Sequence, residues 1–249
     1  MSLLRDQELA AAFDRGARSY DRLVGAAPGY HAALRRSARR LGLPGGGAGL
    51  RLLDLGCGTG ASTAALVRIA PHAEITAVDA SAGMLERAAA KRWPPNVRFV
   101  HAPAEKMAEA GVEGPFDAAF AAFLLRNVAS PDTVLRSLRA MLAPPLGRLA
   151  VHDYALSGAL PHRAVWWAVS RTIITPAGTL AGDAPLYRHL RRSVADFDTA
   201  PALGARLARA GFRDTRVLPM PGWHAGIIHT VVGRVAVDGG ATAPEAGRP

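Results

Sequence analysis

The chain has 249 residues, 49% of them hydrophobic, with 30 Lys and Arg against 20 Asp and Glu for a net charge of +10. Its single cysteine, Cys57, allows no intrachain disulfide framework and no cysteine-based zinc site, which points to a reducing, cytoplasmic setting. No stretch of about 18 apolar residues offers a transmembrane helix, and Met1–Asp6 has no apolar core, so no signal peptide is expected.

All basic residues except Lys91 and Lys106 are arginine, set among Ala-rich filler. The excess charge reads first as compositional bias on a solvated surface and second as attraction to an anionic membrane. Aromatics are only 6% and no N/D-P-P-Y/F string occurs, so no nucleic-acid partner is expected.

Taken in order, residues 6–42 read as helical, and the Gly/Pro stretch Pro44–Gly49 separates them from the rest of the chain. Leu50–Leu55 is a short apolar run ending in glycines, hence a buried strand. Ala61–Ala70 has helical spacing. Glu74–Val78 is a second strand ending at Asp79, and Ser81 is placed to cap a helix through about Lys91. Strands follow at Val97–His101, Phe116–Leu125 and Arg148–Tyr154, with a helix over Pro131–Leu142. Ala202–Ala210 is a helix closed by Gly211, and Thr215–Pro219 and His229–Val237 are the last strands.

Alternation of apolar strands with helices predicts an α/β fold, its parallel sheet covered on both faces. Residues 6–42 and the insert 160–198 fall outside the alternation and are natural lids over the carboxyl ends of the strands. One domain over 1–236 is expected, with cores at 50–156 and 200–236 and a disordered tail at 237–249.

The strongest local signal is Leu53-Asp54-Leu55-Gly56-Cys57-Gly58-Thr59-Gly60, on a strand-to-helix turn. Glycines there let a ligand approach the backbone, and the helix N-terminus offers free N–H groups. Asp79 ends the next strand, where nucleotide-binding α/β folds accept ribose hydroxyls. The spacing is G-x-G-x-G rather than the G-x-G-x-x-G of dinucleotide loops, which argues against an NAD-dependent oxidoreductase.

This string resembles motif I of class I S-adenosylmethionine (SAM) methyltransferases. The resemblance implies a Rossmann-like, seven-stranded, mostly parallel sheet with an antiparallel last strand. It implies SAM as cofactor and S-adenosylhomocysteine (SAH) as product. Asp54, Gly56, Cys57, Gly58 and Gly60 would form the loop along the methionine part. Asp79 would take the ribose, and Ala80, Ala104 and Glu105 would flank the adenine; Pro103 stands where the family often has Asp or Asn. Cys57 reads as a small buried loop residue, since methyl transfer needs no covalent enzyme intermediate.

Further strings narrow the resemblance: Ser19-Tyr20-Asp21 after Phe13, Leu125-Arg126-Asn127-Val128, Tyr187-Arg188-His189-Leu190 with Ser193-Val194, and Gly226-Ile227-Ile228-His229. In this order they resemble the ubiquinone/menaquinone C-methyltransferases (UbiE/MenG type) over about residues 10–235. Departures are His152-Asp153-Tyr154 for the family's L-E-F, Pro144-Pro145-Leu146-Gly147 for its K-P-G-G, and a dissimilar, Trp- and Ala-rich insert.

The resemblance implies a prenylated 1,4-quinol acceptor, methylated on a ring carbon. Arg126 would stabilise the phenolate electrostatically and Asn127 would orient its hydroxyl. Water, His189 or Asp153 would take the ring proton. Tyr20, Tyr187 and Trp166 join Arg126 as candidate acceptor contacts. The Trp166-Trp167 run either packs as a buried lid, lines a prenyl channel or touches a membrane interface, and a peripheral position at the inner membrane face stays open, as does a homodimer. A small natural-product phenol, amine or lipid-like acceptor is the rival reading. No H-x-H or H-x-x-x-H pair occurs and no metal is expected.

Overall fold

The computed structural model describes residues 6–26, 28–144, 146–180 and 184–236. The expected tail at 237–249 lies outside them. Two helices come first, α1 (Asp6–Ala26) and α2 (Tyr30–Arg39). The alternating core comes next: β1 (Arg51–Leu55), α3 (Ala61–Ile69), β2 (Glu74–Asp79), α4 (Ala82–Ala89), β3 (Val97–His101), β4 (Ala118–Ala122), α5 (Pro131–Met141) and β5 (Arg148–Tyr154). The insert forms α6 (Leu160–Val169), a wide π turn (Ser170–Ile174), α7 (Thr175–Leu180) and α8 (Ala184–Asp196). It leads to α9 (Ala200–Arg209), β6 (Phe212–Pro219) and β7 (Ile228–Val235).

The strands form one sheet in the order β3-β2-β1-β4-β5-β7-β6, with β7 antiparallel to both neighbours. Strand alternation divides the core between two faces. Leu53, Leu55, Ala119, Leu149 and Val151 face one side, covered by Val134, Leu135 and Leu138 of α5 and Leu203 and Leu207 of α9. Leu52, Ala118, Phe120 and Ala150 face the other, covered by Leu34 and Ala38 of α2 and Ala65 and Leu66 of α3. Each fully buried Leu or Phe contributes roughly 1.5–3 kcal/mol of transfer free energy, so the apolar residues of the strands hold both layers.

Local signals set several boundaries. The Ser81 hydroxyl caps α4 by accepting from the Met84 N–H at 3.1 Å, and Gly211 ends α9 at a φ of +90°. The fourth strand is shorter than Phe116–Leu125. Phe116 makes only an isolated bridge to Leu142, and Phe123 turns the chain out of the sheet with a φ of +56°. Leu125–Asn127 is then a short 3-10 turn.

The strand order reverses between β1 and β4. In open α/β sheets that switch point is where the crevice for ligands opens. The loop after β1 and the turn after β4 flank it.

Candidate active site

On the β1 side, Gly56, Gly58 and Gly60 have φ values of +76°, +54° and +90°, a backbone that side chains resist. A Cβ on Gly56 would lie 2.9 Å from the Leu124 side chain, and one on Gly60 would lie 2.6 Å from the Trp93 ring. A Cβ on Gly58 would meet nothing within 4 Å. Two glycines are thus needed for packing, while the middle one faces open space.

Asp79 closes this loop from β2. Its Oδ2 accepts from the Gly58 N–H at 2.7 Å and its Oδ1 from the Ser81 N–H at 2.9 Å. Burial raises its carboxyl, partly offset by those N–H groups. Each oxygen keeps a lone pair for a further donor. Asp54 lies wholly beneath the loop. Its Oδ2 accepts from the Ser62 and Thr63 hydroxyls at 2.8 and 2.6 Å, while its buried Oδ1 has no partner. Burial pushes its carboxyl up to about 7.

The Ala102 N–H donates to the Asp79 carbonyl at 2.9 Å, which sets the ends of β2 and β3 side by side. Ala104 is buried, and Ala80 and Glu105 are exposed. Cys57 is buried and its thiol raised well above the usual value by burial, so it stays protonated at neutral pH. These groups fit a ribonucleoside with a cationic tail: a hydroxyl-accepting carboxylate, an orphaned buried carboxyl oxygen and an open glycine.

Helix α1 is strapped across this half by two carboxylates seven residues apart. Asp14 accepts from the Ser81 hydroxyl at 2.5 Å and the Gly83 N–H at 2.9 Å. Asp21 accepts from the Thr59 hydroxyl at 2.5 Å and pairs with Lys91 at 2.8 Å. Burial acts to raise the Asp21 carboxyl, but Lys91 and Thr59 outweigh it and hold the carboxyl below its usual range.

On the β4 side, Arg126 is buried against Asp153 of β5, with Nε 3.0 Å from Oδ1. The Tyr154 N–H also donates to Asp153 Oδ1 at 2.9 Å. Burial raises the Asp153 carboxyl to about 6 in spite of the guanidinium. Arg126 Nη1 donates to Asn127 Oδ1 at 2.6 Å, and His189 Nε2 lies 3.1 Å from the same oxygen. Asn127 Nδ2 donates to the Phe123 carbonyl at 2.9 Å, which fixes the amide. His189 Nε2 therefore carries the hydrogen, and its buried Nδ1 is a lone pair without a partner. Burial and the charge on Arg126 lower His189 to about 4, so it is neutral at physiological pH.

The Arg126 guanidinium lies 5.7 Å from the centre of the Tyr154 ring, which joins a run of aromatic contacts. Tyr30 stacks on Phe123 at 5.7 Å and 11°, Phe123 meets Tyr154 at 5.2 Å, and Tyr154 meets Trp166 at 5.2 Å. The Arg126 charge bears on Tyr20, Tyr30 and Tyr154, and the Tyr20 and Tyr30 hydroxyls share a hydrogen bond. Burial nevertheless raises all three phenols, Tyr154 to about 12. Trp166 is buried and its Nε1 has no partner.

The structure thus brings together Arg126, Asn127, Asp153, His189, Tyr20 and Trp166. Tyr187 packs with Leu9, Ala12, Phe13 and Leu186 between α1 and α8 and presses against Gly178. Tyr30, Trp93, Asp14 and Lys91 lie beside these residues, and no sequence motif marked them. Among the described residues, no three His, Cys, Asp or Glu side chains converge as a metal site.

Residues 52–145 match the family described as a methyltransferase domain. A demethylmenaquinone methyltransferase of Beutenbergia cavernae is 32% identical over 209 residues, 83% of each chain. A second, from Thermus thermophilus, is 36% identical over 65% of this chain and 74% of its own. Among solved structures, a SAM-dependent methyltransferase from Aquifex aeolicus superposes with a TM-score of 0.59 at 18% identity, over 90% of this chain and 98% of that one. Human N-acetylserotonin methyltransferase in complex with SAM gives 0.60 at 17% identity over 92% of this chain, which spans 59% of that longer one.

Fold and site together define a class I SAM-dependent methyltransferase, with SAM as its cofactor. Within that class the chain belongs to the ubiquinone/menaquinone biosynthesis C-methyltransferase family, which includes the demethylmenaquinone methyltransferases.

Proposed function

We propose that the protein methylates a ring carbon of a prenylated 1,4-quinol of the demethylmenaquinol kind. The observation that carries this reading is the buried Arg126 cation. It is tied to Asp153, set among Tyr20, Tyr30 and Tyr154, and two residues beyond the Leu124 that packs on Gly56.

When bound, SAM supplies an electrophilic methyl group and leaves as SAH. Asp54, Gly56, Cys57, Gly58, Gly60, Asp79, Ala80, Ala104 and Glu105 are the residues we assign to holding it. Arg126 favours the phenolate form of the acceptor hydroxyl, because a permanent cation in a dry site stabilises a nearby anion strongly. Negative charge then reaches the ortho carbon, which forms the new C–C bond. Asn127, its amide fixed from both ends, orients the hydroxyl. The carbon that gained methyl still carries its hydrogen, and restoring aromaticity makes that proton acidic. A weak base suffices, and the free Nδ1 of His189 supplies one. Asp153 acts as the counter-ion of Arg126. Tyr20 and Trp166 line the acceptor space, and Tyr187 supports the lid. The reading also puts the enzyme at the cytoplasmic face of a bilayer, where such an acceptor dissolves; among the described residues no helix is long and apolar enough to cross one.

Purified protein, labelled SAM and a chemically reduced short-chain demethylmenaquinol test the reading by mass analysis of the product. A ring-methylated quinol is expected. Methylation of a soluble phenol with none of the quinol would overturn the acceptor while leaving the methyltransferase intact.

A further inference from the structure

The paired tryptophans of α6 differ in burial, because successive helical residues lie about 100° apart around the axis. Trp166 is 4% exposed and packs among Val194, Met220, Ile227 and Ile228. Trp167 is 60% exposed. It does not stand alone: Leu160 is 78% exposed, Val165 45% and Ile173 61%. Four large apolar side chains thus face outward within fourteen residues, where singly scattered ones are the norm. Leu160, Arg163, Trp167 and Arg171 follow one another at helical spacing. The π turn at Ser170–Ile174 widens the helix and presents Ile173 as well.

The charge of this stretch is one-sided. From Tyr154 to Gly182 there is no Asp or Glu, while Arg163 and Arg171 are both exposed. The Arg171 guanidinium lies 5.3 Å above the Trp167 ring, so cation and indole share one spot on the surface. Apolar chains flanked by Trp and Arg, without carboxylates, match a headgroup interface. Indole rings settle at headgroup depth there, and each arginine near anionic lipid gains about 1 kcal/mol.

We propose that the outer face of α6 and the following π turn, Leu160, Trp167 and Ile173 with Arg163 and Arg171, docks on an anionic lipid bilayer. The inner face of the same helix carries Trp166 against Tyr154, beside Arg126. One helix therefore joins the bilayer to the acceptor site. The surface deepens the quinol reading and draws its purpose from it, but its test contains no quinone, so either can fail alone.

The experiment is co-sedimentation of the full chain with phosphatidylcholine vesicles, with and without phosphatidylglycerol. Binding to the anionic vesicles is expected, weakening as salt screens it. Trp167→Ser with Ile173→Ser should lower the partition coefficient about tenfold or more. Arg163→Gln with Arg171→Gln should remove most of the preference for phosphatidylglycerol. All four side chains are exposed, so urea unfolding midpoints should not move. Trp167→Phe should keep binding yet lose the quenching of tryptophan fluorescence by brominated lipid. No binding by the native chain, or equal binding by the Trp167/Ile173 variant, would overturn the proposal. So would sedimentation velocity showing a dimer that this variant dissociates, because the face would then belong to a second copy.

Discussion

The two sides of the switch point solve the same problem differently. Each buries a carboxylate at the end of a strand, Asp54 on β1 and Asp153 on β5. Asp54 is met by two hydroxyls and keeps one oxygen unpaired. Asp153 is met by a guanidinium. On the cofactor side the work is done by backbone, with three left-handed glycines and N–H groups aimed at Asp79. On the acceptor side it is done by side chains, drawn from α1, α2, β5, α6, α8 and the turn after β4.

Removing Arg126 is the most severe way to separate the halves. Arg126→Met leaves the Asp153 carboxylate buried without its counter-ion, and breaking such a pair costs about 3–5 kcal/mol. The loss should shrink as pH falls, since protonating Asp153 removes the unpaired charge. Methyl transfer should drop by about 10²–10³-fold, in line with losing one preorganised electrostatic group. SAH affinity, read by calorimetry, should stay within about twofold, because the polar partners of Arg126 are Asp153, Asn127 and Ser193, outside the residues assigned to the cofactor. Adding Asp153→Asn should restore stability and not activity. A parallel fall in SAH affinity would show that the two halves are one site.

This division explains what the sequence made legible. The loop was readable because only glycine fits φ values of +76°, +54° and +90° at ease, and Asp79 because a strand must end there. The strand–helix alternation carried the sheet and most element ends to within two or three residues. The end of β4 was not readable: an apolar run from Phe116 to Leu125 hides a turn made by Phe123, a residue that does not signal positive φ. Tyr30 sits in a helix whose pattern says only that it is a helix, and its stack on Phe123 exists only once α2 packs over the sheet. Two adjacent tryptophans could not be sorted by composition, and only the fold turned Trp166 inward and Trp167 outward. Tyr187, which its string offers as an acceptor contact, packs between α1 and α8, and His189 two residues on reaches Asn127.

The glycines sharpen the contrast within the cofactor half. Gly60→Ala would push a methyl to 2.6 Å from the Trp93 ring. That ring cannot swing aside freely, because its Nε1–H donates to the Ala88 carbonyl at 2.7 Å. With a φ of +90° added, a loss of about 2–3 kcal/mol is expected in urea unfolding. Gly58→Ala meets open space and carries only the left-handed penalty, about 1 kcal/mol. Its methyl enters the space assigned to the cofactor, so SAH affinity should fall about tenfold or more. A Gly58→Ala protein that binds SAH normally would mean the cradle lies elsewhere.

The gentlest test compares the two buried carboxylates through pH. Asp54 is pushed from an ordinary value of 3.8 up to about 7 by burial. The folded protein therefore holds this proton more tightly than the unfolded chain does. Its contribution to stability is complete below about pH 4 and is lost as pH rises toward 7, at about 1 kcal/mol per pH unit. Asp54→Asn keeps an oxygen for the Ser62 and Thr63 hydroxyls and has no proton to lose. In the absence of cofactor, the gap between the native protein and this variant should therefore tilt with pH between about 4 and 7, the native chain losing ground as the solution becomes more alkaline. Asp153→Asn should differ in kind, since it strands the Arg126 guanidinium and destabilises at every pH in that range. A cationic cofactor would reverse the Asp54 preference, drawing the carboxylate into its charged form. SAH or SAM binding near pH 6 should then release a proton, seen as a buffer-dependent binding enthalpy that Asp54→Asn abolishes. Parallel stability curves for native and Asp54→Asn proteins would mean that Asp54 is already charged in the fold, and the distinction between a hydroxyl-held and a guanidinium-held carboxylate would fall.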